Sequence, residues 1–179
     1  MAKIITVGAA IQDVFLSQSD ALTPVCESPE HCFARLDLGA KADVNQIHFS
    51  TGGGATNAAV TFSRQGHYVS FMGAIGHDPA GQAVIADLDK ENIDTHLVRY
   101  SPKYSTGYSV LLLASNGERT ILTYRGASTH YHEADFDLSE EDADWLYVST
   151  LAGNMPMLHK LFQQAKRRDM KICFNPGKR

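Results

Sequence analysis

Three consecutive glycines, Gly52-Gly53-Gly54, stand directly before a stretch that reads as a helix, and this junction constrains the fold more than any other feature. Within residues 55–65, Ala58, Ala59, Val60 and Phe62 supply an apolar face suited to packing on a sheet. Gly66 follows as a left-handed helix cap, and residues 68–72 return as a strand. Upstream, residues 4–10 form a continuous apolar run with β-branched members, the pattern of a central parallel strand that ends in a polar loop near Asp13. The sum is a βαβ-type step in an α/β fold.

The remaining chain extends the pattern. Asp78 reads as an N-cap with Pro79 at the first helical position, and the helix it opens runs to about residue 91. Between residues 96 and 125 the period switches to two, with strands over 106–113 and 119–124 joined by a turn at 114–118. Residues 14–50, with prolines at 24 and 29, read as small strands and turns outside the main core. These two β-rich segments, about 14–50 and 96–125, are expected to pair as one small sheet. Tyr108, Val110 and Leu112 alternate with Ser109, Leu111 and Leu113, so both faces carry apolar bulk and must cover something, either a substrate or a second copy of the chain. A homodimer is expected on that ground. Residues 145–149 read as a strand, 155–168 as a helix and 171–174 as a strand leading to Asn175-Pro176-Gly177. A stop at residue 179 is read as truncation of a parallel layer.

Composition narrows the function. The 179 residues, 44% hydrophobic and 20% charged, suit one globular domain. Sixteen basic against twenty acidic residues, with no basic stripe, argue against nucleic acid as a partner. No segment has membrane-spanning length, and the apolar start reads as a buried strand rather than a signal peptide. Three cysteines, an odd number, fit a reduced compartment better than a disulfide framework, so the cytoplasm is expected. Cys26, His31 and Cys32 lie close together without a paired-ligand spacing, and no metal site is expected there. His130 and His132 read as surface-loop residues.

The glycine turn leaves backbone N–H groups open to an oxygen-rich ligand. Neither standard nucleotide motif fits, because no Gly-Lys-Ser/Thr follows and Asn57 replaces the third glycine of a dinucleotide fingerprint. Asn57 instead offers a donor and an acceptor, and Asp13 a charged acceptor, a mixture that suits vicinal hydroxyls; a lone strand-end Asp also caps turns. Arg125, after the hairpin, suits a substrate oxygen or phosphate, or is a solvated ion. Asn175 ends the last strand, where open α/β sheets bind ligands and where Asn-Pro is also ordinary turn chemistry.

Gly52-Gly53-Gly54-Ala55-Thr56-Asn57-Ala58-Ala59, then Gly66 and the run from Gly73 to Gly81, resemble the N-terminal signature of the PfkB carbohydrate kinases, the ribokinase family. Val7-Gly8, Asp13, Ser105-Thr106-Gly107, Arg125-Gly126-Ala127 and Asn175-Pro176-Gly177 extend the likeness over essentially the whole chain. The resemblance implies a ribokinase-like three-layer α/β/α fold with a small β-sheet lid that often mediates dimerisation. It implies a sugar or nucleoside acceptor held by Asp13, Gly52, Gly53 and Asn57, and ATP with magnesium as phosphoryl donor; Gly54 and Arg125 are read as further substrate-binding candidates and Asn175 as a cofactor-binding one. Gly54 stands where ribokinases proper carry lysine. The family's Gly-Ala-Gly-Asp stretch with the catalytic base, and its Asn-x-x-Glu element, are absent from these 179 residues. No catalytic residue is therefore assigned here, and the chain alone is expected to show no turnover. The alternative is a noncatalytic sugar-binding or protein-interaction module.

Overall fold

The structure, a computed structural model, describes residues 1–28 and 31–177. In chain order the elements are β1 (Lys3–Val7), β2 (Ile11–Ser17), β3 (Val25–Ser28), β4 (His31–Phe33), β5 (Gln46–Gly52), α1 (Gly54–Arg64), β6 (Tyr68–Met72), β7 (Ala74–Gly76), α2 (Pro79–Lys90), β8 (Arg99–Ser101), β9 (Gly107–Leu113), β10 (Arg119–Tyr124), β11 (Trp145–Val148), α3 (Met155–Arg167) and β12 (Lys171–Phe174). They divide into a larger unit, residues 1–12, 51–107 and 125–179, and a smaller one, residues 13–50 and 108–124.

The larger unit is an α/β layer structure built on a parallel sheet of order β12-β11-β1-β6. Ile5, Val7, Leu146 and Val148 join Met157, Leu158, Leu161 and Ala165 of α3 in one core. A second core combines Ala55 and Ala59 of α1, Val84 and Leu88 of α2, and Val69, Phe71 and Ile75. Helices thus cover both faces, as the near-continuous apolar strands require. Fully buried Phe71, Leu146 and Leu161 each contribute about 2 kcal/mol of transfer free energy.

The strand expected to run from residue 4 toward Asp13 is two strands. Gly8 adopts φ 149°, and a Cβ there would lie 2.0 Å from Ser149 Oγ. The chain turns at that point, and Ser128 pins the turn by accepting from Ala10 N at 3.2 Å and donating to Ala10 O at 2.9 Å. It then re-enters as β2, so Asp13 lies inside a strand of another sheet rather than at the end of the first.

That other sheet, of order β10-β9-β2-β5, gathers both β-rich segments, and β9 and β10 form the antiparallel hairpin the sequence suggests, Leu111 opposite Ile121. The second segment enters the smaller unit at Tyr108, not near residue 96, because β8 pairs in parallel with β7 and Arg99 N donates to Gly73 O at 2.9 Å. β3 and β4 form a separate two-stranded sheet in which Cys26 faces Cys32, and the two are joined as a disulfide. This corrects the reading of three cysteines as reduced thiols: register, rather than parity, decides that two of them meet. Only Cys173 is free.

α2 starts as its sequence specifies. The Asp78 carboxylate accepts from Gly81 N at 2.8 Å, from Thr106 N at 2.8 Å and from Thr106 Oγ1 at 2.7 Å, while Thr106 Oγ1 accepts from Gly76 N at 2.8 Å. Partial burial pushes the Asp78 pKa up, but these donors and nearby His77 outweigh it and hold it below the ordinary value. The ionised carboxylate therefore contributes stability above the ordinary Asp pKa, and that contribution is lost as pH falls through the depressed value. Asp78→Ala is expected to lower unfolding free energy by about 2 kcal/mol in urea denaturation at neutral pH, the gap narrowing in acid. An equal gap at every pH would show that the ionised cap is not what stabilises the helix start.

Candidate functional site

Strand order reverses about β1, with β6 on one side and β11 then β12 on the other, and open α/β sheets bind ligands outside the carboxyl ends of strands at such a reversal. The residues found there are Gly8, Ser149 and the start of α1. Gly53 is the helix N-cap at φ 119° and provides no capping side chain. A Cβ on Gly53 would lie 2.2 Å from Ala9 O, and one on Gly54 3.1 Å from Ser149 Cβ. The first reason for the glycines is therefore close approach of protein to protein, which lets the helix start sit against the end of β1. Thr56 Oγ1 ties the turn by donating to Gly52 O at 2.7 Å and Gly53 O at 3.1 Å.

Asn57 follows on the first turn. It is exposed, its backbone is engaged within the helix, and its carboxamide makes no hydrogen bond among the described residues. Ser149, at the end of β11, is 3% exposed, and its hydroxyl likewise has no hydrogen-bond partner among the described residues. The sequence reading passed over Ser149, whose only signal was a small polar residue closing an apolar strand. A free carboxamide and a free hydroxyl flanking a bare turn can exchange hydrogen bonds with a hydroxylated ligand.

Arg125 is exposed, without an ion pair among the described residues, and lines a groove of about 710 Å³ with Thr150, His159, Phe162, Phe174 and Pro176. Asn175 lies between the last two. Its N–H continues the sheet by donating to Val148 O at 2.9 Å, and its side-chain oxygen accepts from Gly177 N at 3.0 Å, the turn chemistry expected of Asn-Pro. Only its amide N–H groups remain for a ligand. His130 stacks on Tyr104 with centroids 3.6 Å apart and its Nδ1 contacts Gly126 O at 2.9 Å, which gives the ring a structural role.

Asp13 belongs to the smaller unit, half-buried on β2, where it is hydrogen-bonded by the hydroxyl of buried Ser109. Burial raises its pKa above the ordinary value despite the lowering effect of Ser109. Gly52, Gly53, Gly54, Asn57, Arg125 and Asn175 all belong to the larger unit.

The model of the pfkB family of carbohydrate kinases matches residues 3–177. A ribokinase of Haemophilus influenzae is 25% identical over 70% of this chain and 42% of its own length, and a 5-dehydro-2-deoxygluconokinase of Clostridium botulinum is 35% identical over 54% and 27%. In structure, a sugar kinase of Pyrococcus horikoshii solved in complex with ATP superposes with a TM-score of 0.73 at 23% identity, over 98% of this chain and 53% of that one. The chain thus spans about half the length, or less, of these relatives, and the structural likeness establishes the ribokinase-like fold.

Because its carboxyl pKa is raised, Asp13 costs stability once ionised, a cost that appears as pH rises from the ordinary Asp value through the raised one. Asp13→Asn is expected to raise the melting temperature slightly at neutral pH and to match the parent below about pH 3.9. A variant less stable than the parent at neutral pH would assign Asp13 a purely structural part.

Proposed function

Because the chain belongs to the pfkB family of carbohydrate kinases, we propose that it is the acceptor-binding portion of an ATP-dependent kinase that phosphorylates a hydroxyl of a sugar or nucleoside. The observation that carries this reading is the unpartnered Asn57 carboxamide on the first turn of α1, beside a glycine turn at the carboxyl edge of the parallel sheet. Asp13 accepts from acceptor hydroxyls as a charged group, each such bond contributing about 1.5 to 3 kcal/mol, and Asn57 both donates and accepts. Gly52, Gly53 and Gly54 keep the backbone bare. Arg125 supplies positive charge for an anionic substituent or a transferring phosphoryl group.

Phosphoryl transfer needs an acceptor in line, a base for its hydroxyl and charge stabilisation on the moving group. This chain offers the acceptor side. Toward ATP it offers the amide N–H groups of Asn175, suited to a phosphate oxygen. No residue of this chain is assigned to magnesium: among the described residues no group of three or more His, Cys, Asp or Glu is arranged to hold a metal, and magnesium that accompanies ATP would take most of its ligands from phosphates and water. ATP supplies the phosphoryl group when bound, and no step is assigned to a base within this chain.

The smaller unit holds a four-stranded sheet of its own, of order β10-β9-β2-β5. Its edge strands β5 and β10 expose Ile47, Phe49, Ile121, Leu122 and Tyr124, a surface suited to a second copy. Homodimerisation through that sheet is expected, and light scattering that gives a monomer at every concentration would rule it out. No helix among the described residues is long and apolar enough to cross a membrane, and a kinase drawing on ATP suits the cytoplasm.

In a coupled ADP-release assay the 179-residue chain is expected to give no sugar-dependent turnover, and the protein extended through a Gly-Ala-Gly-Asp segment to give it with a ribose-like, fructose-like, sugar-acid or nucleoside acceptor. In that longer protein Asp13→Ala removes measurable acceptor binding by calorimetry. Unchanged affinity would overturn the assignment.

A further inference from the structure

We propose that Cys26 and Cys32 form a reversible dithiol–disulfide switch that orders or releases residues 23–28 and 31–45 of the smaller unit, independently of the kinase reading. The two cysteines are directly opposed in the register of β3 and β4, with Cα atoms 4.0 Å apart, and both are exposed. Every described residue from 25 to 49 is exposed, so the segment has no core of its own. Among the described residues β3 and β4 pair only with each other, and a lone two-stranded hairpin is at best marginally stable in water. The other ties among the described residues are weak: a solvent-exposed Arg35–Glu27 ion pair at 3.7 Å, a Cys32 Sγ–Ser28 O contact at 3.9 Å, and backbone bonds outside the hairpin from Thr23 N to Asp20 O at 3.1 Å, Ala40 N to Asp37 O at 3.2 Å and Asn45 N to Gln18 O at 3.3 Å. The covalent link is the strongest constraint on the segment.

What the link shapes is a groove. Cys32, Phe33 and Ala34 form one wall of a cavity of about 450 Å³ whose other wall includes Leu112, Ala114 and Arg119. Releasing β4 from β3 removes that first wall. The disulfide is solvent-accessible, which is the condition for attack by an external thiolate.

The partner reagent is a low-molecular-weight disulfide and its thiol. On oxidation, one protein thiolate attacks a sulfur of the small disulfide, forming a mixed disulfide and releasing one small thiolate. The second protein thiolate attacks the protein sulfur of the mixed disulfide, closing Cys26–Cys32 and releasing the second. Two protein thiols lose two electrons and two protons, and one small disulfide becomes two thiols. Reduction is the reverse.

The test uses the whole chain equilibrated in buffers of varied small-thiol to small-disulfide ratio. Thiol titration after rapid acid quench and unfolding should count one thiol per chain, Cys173, at the oxidised end and three at the reduced end. Hydrogen exchange of the paired β3 and β4 amides should accelerate about tenfold or more on reduction, while β1, β6 and β11 stay protected, and should recover on reoxidation. Cys26→Ser/Cys32→Ser should exchange at the reduced rate in every buffer, and Cys173→Ser should behave like the parent. Three thiols under oxidising conditions, exchange identical at both ends, or loss of protection across β1, β6 and β11 on reduction would each overturn the proposal.

Discussion

The architecture depends on how closely three pieces of backbone approach one another where the strand order reverses. Gly8 leaves no room for a side chain against Ser149, Gly53 none against the Ala9 carbonyl, and Gly54 little against Ser149. A methyl group at Gly53 would require the Ala9 carbonyl to move, and the φ of 119° is itself a conformation that side chains rarely adopt. Relaxing that contact would separate the start of α1 from the end of β1, and with it the Asn57 carboxamide from the edge of the sheet. The same contact turns the chain out of the parallel sheet after Val7 and lets it begin β2 in the other unit. Fold and candidate site therefore share one steric cause.

Much of this was legible in the sequence wherever the cause is local. The helix after the glycines, the left-handed Gly66, the Asp78 cap with Pro79 and the hairpin closed at residues 114–118 each follow from residues within a few positions of one another. What escaped depends on distant neighbours. Residues 4–10 are apolar enough for one strand, and it takes Ser149, the residue after β11, to reveal that no side chain fits at Gly8. Arg99 stays in the larger unit because of Ala74, its partner across β7 and β8, although its alternating surroundings match the hairpin that follows. The cysteine pair was missed for a similar reason, since a count of three says nothing about which two face each other across a register.

The polar groups sort by whether the protein itself satisfies them. Asp78 is saturated: it caps α2 and fixes Thr106, and its lowered pKa expresses that satisfaction. Asp13 carries the contrary shift, because burial raises its pKa despite the lowering hydrogen bond from Ser109. Asn57 and Ser149 go further, with side chains that find no hydrogen-bond partner among the described residues. Two acidic side chains of the same type thus carry contrary signs in the energetics of folding.

Local stability follows the same division between what is buried and what is merely connected. The larger unit holds two apolar cores on either face of its sheet, and β1 and β6 bury side chains within it. Residues 25–49 bury none of their described side chains and cannot offset the entropy of ordering by hydrophobic burial. Closing a loop between cysteines six positions apart removes unfolded-state freedom worth about 2 kcal/mol in the chain-entropy account, comparable to burying one large apolar side chain. A covalent bond that chemistry outside the protein can break therefore stands where the rest of the molecule uses packing. That places the shape of this hairpin, and of the groove beside it, under the control of the thiol–disulfide balance of the solvent.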